Sequence, residues 1–71
     1  MDISDVKIGQ RFLYKRRVWE SSLYEVLYLE ISPNKKARKF QHPNGHEDWE
    51  PESETRWWDV VDILTVGGRY A

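Results

Sequence analysis

Two histidines, His42 and His46, flank Pro43-Asn44-Gly45, and Glu47 and Asp48 follow at once. Imidazole nitrogen and carboxylate oxygen are donors that hold zinc, but a zinc site needs a further ligand or water and an ordered outer layer of hydrogen bonds. Histidines beside a hairpin turn are ordinary surface residues, so neither metal nor cofactor is expected. Covalent catalysis has little to work with. The chain has no cysteine, no serine stands in a nucleophile-elbow context, and Glu47, Asp48, Glu50, Glu52 and Glu54 gather in a polar stretch rather than a pocket. A chain of 71 residues rarely encloses a cleft of ~300 Å³ or more. The chain is therefore read as a non-enzyme with no catalytic residue.

Two other sets of side chains suit binding. The basic set is Lys15, Arg16, Arg17, Lys35, Lys36, Arg38 and Lys39, whose charges suit phosphates while neighbouring aromatics stack on bases. The aromatic set is Trp19, Tyr24, Tyr28, Trp49, Trp57 and Trp58. A small core cannot enclose all of these rings, and partly exposed Trp and Tyr are typical anchors for protein partners. Trp57 and Trp58 cannot both face inward in a strand; the purely structural reading makes one of them core and the other a cap. An aromatic cage for a methylated or guanidinium cation is a sharper form of the binding reading.

The elements that must position these residues are mostly strands. Gly9 opens a turn into a first strand over Arg11 to Lys15, with Phe12 and Tyr14 facing inward. Arg16 to Ser22 reads as an irregular loop, with Trp19 folding back as a lid. Tyr24 to Ile31, free of Gly and Pro and stopped by Ser32-Pro33-Asn34, is the clearest strand. Period-two alternation assigns Leu27, Leu29 and Ile31 to the core face, and Tyr24, Val26, Tyr28 and Glu30 to a second face available to a partner. A third strand runs from Lys36 to His42 around Phe40, an Asn-Gly turn follows, and a fourth covers about His46 to Glu50. Pro51 to Thr55 reads as a loop, with one short helical turn near residues 55–59. Trp58 to Val66 is the last strand, although Trp57, Val60, Val61 and Leu64 also fit an amphipathic helix, so strand or helix over 57–64 stays open. The expected core spans about residues 6–66, with 67–71 a flexible tail.

Length supports one domain, residues 1–71, and no apolar run approaches the ~20 residues that cross a bilayer. The absence of cysteine and of a signal-like start points to a cytoplasmic protein. The net charge of −1 hides a division: residues 1–46 hold nine Lys/Arg against five Asp/Glu, a balance of +4, and residues 47–71 hold two against seven, a balance of −5. Across a meander of strands, Lys35 to Lys39 would meet the acidic run, and that neutralising network competes with a nucleic-acid face. The two basic clusters also stand at opposite ends of the second strand, ~25 to 30 Å apart at ~3.3 Å per residue.

The order of glycine turn, strand, irregular loop, long strand, Ser-Pro-Asn-Lys turn, strand, Asn-Gly turn and two further strands resembles the SH3-like and Tudor-like small β-barrels. Tyr28 to Lys36, followed by Lys39-Phe40 and then a tryptophan, is similar to short uncharacterised phage and prophage proteins. The resemblance implies an all-β, five-stranded SH3-like barrel; a phage setting would suit a small modulator that docks on a host protein. The expectation is a non-enzymatic protein-binding module acting through the aromatic set. A nucleic-acid-binding barrel acting through the basic set and a self-associating structural module, such as a homodimer, are the alternatives.

Overall fold

The computed structural model describes residues 1–66, with side chains through Leu64. Five strands, β1 (Gln10–Lys15), β2 (Tyr24–Ile31), β3 (Ala37–Gln41), β4 (Glu47–Pro51) and β5 (Asp59–Val66), form one antiparallel sheet in the order β4-β3-β2-β1-β5. A short helix, α1 (Glu52–Thr55), joins β4 to β5, and a 3₁₀ turn over Ile3–Asp5 precedes β1. The radius of gyration is 11.2 Å, close to the ~11 Å expected of a compact domain this long. No helix among the described residues is long and apolar enough to cross a membrane.

The turns follow from local chemistry. Gly9 has φ +95° and its N–H donates to the Tyr28 carbonyl at 2.8 Å, seating the entry to β1 on β2. After β2, the Ser32 hydroxyl accepts from the Lys36 and Ala37 N–H groups at 3.2 and 3.1 Å and donates to Asn34 Oδ1 at 2.7 Å. That knot of bonds holds Lys35 at φ +61°, a left-handed conformation that costs an L-residue stability. Between β3 and β4, Gly45 at φ +90° and the Asn44 side chain, which accepts from the His46 N–H, close the hairpin.

Three register shifts bend the sheet. Tyr28 pairs with Phe40 but Glu30 with Lys39, leaving Leu29 as the extra residue. On β5, Phe12 pairs with Ile63 while Arg11 pairs with Thr65, and Tyr14 pairs with Val60 while Leu13 pairs with Asp62; Leu64 and Val61 are therefore extra. Each such bulge adds local twist, and together they curl the sheet over one core. Among the described residues no ladder joins β4 to β5, so the hydrogen bonding stops short of the closed ring a barrel would have.

The core is built largely from rings. Phe12, Tyr14, Val26, Tyr28, Phe40, Trp58 and Val60 are buried together with Ile3 and Val6, and Ile31 and Ile63 pack against them. Tyr14 stacks on Trp58 with centroids 3.9 Å apart, and Phe40 touches Phe12, Tyr28 and Trp58 at 5.1 to 5.9 Å. The inward assignments of Phe12, Tyr14 and Phe40 agree with the sequence reading.

The assignment of faces on β2 is corrected. Val26 and Tyr28 face the core, and the Leu29 bulge then brings Ile31 to the same cluster. Simple alternation ignores the bulge and so places Ile31 with Leu27. Leu27 is nonetheless buried, on the opposite side of the sheet, beside the buried Gln41 with which it pairs. The helical turn lies at Glu52–Thr55, ahead of the expected 55–59, because Pro51 supplies an extended residue at its N-terminal boundary. Residues 59–66 are strand, which decides against the amphipathic helix. The expected tail, 67–71, lies outside the described residues. Ile3, ahead of the expected core of about 6–66, is buried together with Val6; the Asp2 side chain accepts from the Ser4 N–H and that of Asp5 accepts from the Asp2 N–H, forming the turn that lays both against the core.

Candidate partner-binding surface

The loop between β1 and β2, residues 16–23, carries three exposed apolar side chains: Val18, Trp19 and Leu23. Trp19 is 78% exposed, so it is not the lid expected from the sequence. Trp57, between α1 and β5, is 61% exposed. The two segments are tied together. Arg17 donates through Nη1 and Nη2 to Glu54 Oε2 and Oε1 at 2.9 and 3.1 Å, the paired geometry that fixes a guanidinium on a carboxylate. Glu54 also accepts from Trp58 Nε1 at 3.1 Å. One carboxylate therefore links the loop bearing Trp19, the helix before Trp57 and a ring of the core. The Arg17 hydrogen bonds hold the Glu54 carboxyl below its ordinary pKa, and the same contact raises that of Arg17.

Trp57 and Trp58 divide as one element ends and the next begins. The Trp58 N–H donates to the Thr55 carbonyl, still within the helical turn, and its ring enters the core beside Tyr14, whereas the Trp57 ring leaves it. Burial pushes the Tyr14 phenol up to about 12. Two members of the expected aromatic set thus leave the surface: Tyr28 is 5% exposed and Trp58 4%. Tyr28 lies inward because β2's core face is that of Val26, and Trp58 because the stack on Tyr14 needs it. Tyr24 stays at the rim, its ring against Tyr14 at 5.5 Å and under the Arg16 guanidinium at 4.9 Å. Trp49 is exposed on the other side of the sheet, with Lys39 Nζ 5.8 Å from its ring centre. The remaining set, Trp19, Tyr24, Trp49 and Trp57, is therefore split between two regions.

The basic residues are largely engaged within the fold. Arg17 pairs with Glu54, Lys39 with Glu47 at 3.3 Å, Arg38 Nη1 donates to the buried Thr55 hydroxyl at 2.6 Å, and Lys15 donates to the Val18 carbonyl at 3.3 Å. Lys35 and Lys36 remain exposed in their turn. The neutralising contact between the third and fourth strands is thus present in Lys39 and Glu47.

At the hairpin, His42 Nε2 lies 3.2 Å and His46 Nε2 4.0 Å from Asp48 Oδ2. No group of three or more donors suited to a metal occurs among the described residues. Asp48 and Glu50 lie on the core side of β4, paired with Phe40 and Arg38. Partial burial first, and then the charge of Asp48, raise the pKa of Glu50.

Sequence reasoning did not find Val18 and Leu23 as exposed apolar residues, nor the tie between Arg17 and Glu54. Nothing local joins residues 37 positions apart; only the β1–β5 pairing, which sets Lys15 opposite Asp59, brings their segments together. No family model, curated protein or solved structure matches the chain.

Proposed function

We propose that this chain is a non-enzymatic protein-binding module whose contact surface is the Trp19 and Trp57 end of the sheet, extended by Val18, Leu23 and the rim ring Tyr24. The observation that carries this reading is the pair of exposed tryptophans on two segments held together by the Arg17–Glu54 clamp. A loop without such a clamp pays ordering entropy on binding, whereas a fixed loop presents its anchor already placed. The engagement of Arg17, Arg38 and Lys39 inside the fold supports protein over nucleic acid as the partner.

The test is affinity capture from lysate by the intact chain and by the Trp19→Ala/Trp57→Ala double variant, with and without nuclease, read by mass spectrometry. Circular dichroism checks that the variant is folded. The expected result is a protein captured by the native chain regardless of nuclease and lost from the folded variant. Capture that nuclease abolishes would assign the chain to nucleic acid; capture undiminished by the double variant would remove this surface. Association with concentration in sedimentation, abolished by the same variant, would make a second copy the partner.

A further inference from the structure

The chain has two asparagines, and both stand in the same kind of turn. Asn34 follows Pro33, and its Oδ1 accepts from the Lys36 N–H at 3.0 Å; Asn44 follows Pro43, and its Oδ1 accepts from the His46 N–H at 2.9 Å. In each, the oxygen reaches the N–H two residues on, so the side-chain amide is folded over the peptide group between them. The residue that follows differs. Lys35 brings a full side chain at φ +61°, and the Asn34 oxygen also accepts from the Ser32 hydroxyl at 2.7 Å. Gly45, at φ +90°, brings none, and a Cβ placed there would meet nothing within 4 Å. The space beside its amide is therefore open to water.

At Asn44 this sets a nucleophile beside an electrophile. The Gly45 nitrogen and the carbonyl carbon, Cα, Cβ and Cγ of Asn44 make the five atoms of a ring that lacks only the bond from nitrogen to Cγ. The His46 N–H already donates to the oxygen on which negative charge would develop as that bond forms. One contact opposes closure: the Gly45 N–H donates to the His42 carbonyl at 2.9 Å and must let go before the nitrogen can turn. It is a single bond at the tip of a hairpin, beside an exposed Asn44, and opening there costs far less than unfolding the sheet. Imidazoles at 42 and 46 flank the turn, and imidazole is the side chain most used to carry a proton.

We propose that Asn44 is a site of self-modification in the folded chain. The Gly45 nitrogen bonds to Asn44 Cγ, the Cγ–Nδ2 bond breaks, and ammonia leaves with the proton that Gly45 gives up. Water then opens the five-membered imide at either carbonyl and leaves aspartate or isoaspartate at 44, with no oxidant or cofactor. Either product adds one carboxylate, which takes the formal net charge from −1 to −2, at the turn where His42 and His46 lie beside Asp48. Isoaspartate also carries its Cβ in the main chain. The turn is then one atom too long for the bond from the His42 N–H to the His46 carbonyl, so the β3–β4 hairpin loosens as the protein ages.

The test incubates the full chain at neutral pH beside a blocked peptide of residues 41–48 as the unfolded reference. Peptide mapping reads the mass gain of about 1 Da that accompanies exchange of NH₂ for OH, and an isoaspartate assay reads the rearranged product. Were reaction confined to globally unfolded molecules, the full chain would lag the peptide by its unfolded fraction, about a thousandfold or more. The expected result is conversion at Asn44 with a lag under ~100-fold, Asn34 intact, and loss of the reaction in Asn44→Gln. Gly45→Ala, checked for its fold by circular dichroism, should slow it, because the added Cβ crowds the attacking nitrogen. A lag of about a thousandfold or more, no conversion while the peptide converts fully, equal conversion at Asn34, or a mass gain that persists in Asn44→Gln would each overturn the proposal.

Discussion

Replacing Trp58 by alanine should cost most of the stability of this domain, while the same change one residue earlier should cost almost none. Trp58 is buried against Tyr14 and Phe40 and donates to Glu54. A tryptophan removes about 150 to 250 Å² from water, or roughly 4 to 6 kcal/mol at ~25 cal/mol/Å², in line with the ~3 to 5 kcal/mol measured for large aromatic truncations. A 71-residue domain has about 4 to 11 kcal/mol to lose at ~0.05 to 0.15 kcal/mol per residue. Trp57→Ala removes an exposed ring and should stay within ~0.5 kcal/mol. Trp58→Phe keeps the stacking partner but drops the bond to Glu54, and should cost an intermediate ~1 to 2 kcal/mol. Urea unfolding followed by far-ultraviolet circular dichroism measures all three, with the slope checked for constancy so that midpoints can be compared. Equal losses at Trp57 and Trp58, or a Trp58→Ala chain as stable as the native one, would refute the division of the pair between core and surface.

Two further outcomes test the turn and the acidic strand. Lys35→Gly should raise stability by about 0.5 to 1 kcal/mol in the same urea assay, because relief of the positive φ outweighs glycine's greater freedom in the unfolded chain, whereas Lys35→Ala should do nothing measurable. Glu50 and Glu54 should depend on pH in opposite senses. The Glu50 pKa is raised, chiefly by burial, so its ionisation penalises the fold as pH rises from the unfolded to the folded value; Glu50→Gln should be stabilising at pH 7 and neutral at pH 3. The Glu54 pKa is lowered, chiefly by Arg17, so its contribution is present above the unfolded value and lost as pH falls through the folded one; Glu54→Gln should destabilise at pH 7 and less so at pH 3.

The elements legible in the sequence were those fixed by local chemistry. Tyr24–Ile31 has the expected bounds because β-formers fill it and a Ser-Pro turn stops it. Phe12, Tyr14 and Phe40 were legible as inward residues because their strands keep a regular period up to those positions. Regularity failed at Leu29, Val61 and Leu64, the extra residues of three bulges. A bulge is a property of two paired strands, so neither strand's sequence announces it, and the unrecognised extra residue Leu29 set Ile31 on the same face as Leu27, which made the all-aliphatic face of β2 read as core. The aromatic set is affected directly: with the aliphatic face read as core, Tyr28 falls on the other face, whereas the structure buries it beside Val26. Trp58, by contrast, belonged to a pair already expected to divide between core and cap, and what the sequence left undecided was which ring would enter.

The clamp at Glu54 ties the candidate surface to the core. Its carboxylate takes the Trp58 ring nitrogen and both Arg17 nitrogens, so the packing that buries one tryptophan also fixes the loop that exposes another. A core built around Tyr14 and Trp58 holds the end of α1 in place, and α1 then holds Arg17. In a chain whose opposed charges are divided between its two halves, an ion pair between Arg17 of the basic half and Glu54 of the acidic half is favoured by the same fold that pairs β1 with β5. The exposed rings are thus presented by structure at their bases rather than carried on a free loop, and that is the feature the proposed protein-binding reading needs beyond apolar residues merely left over by a core too small to take them.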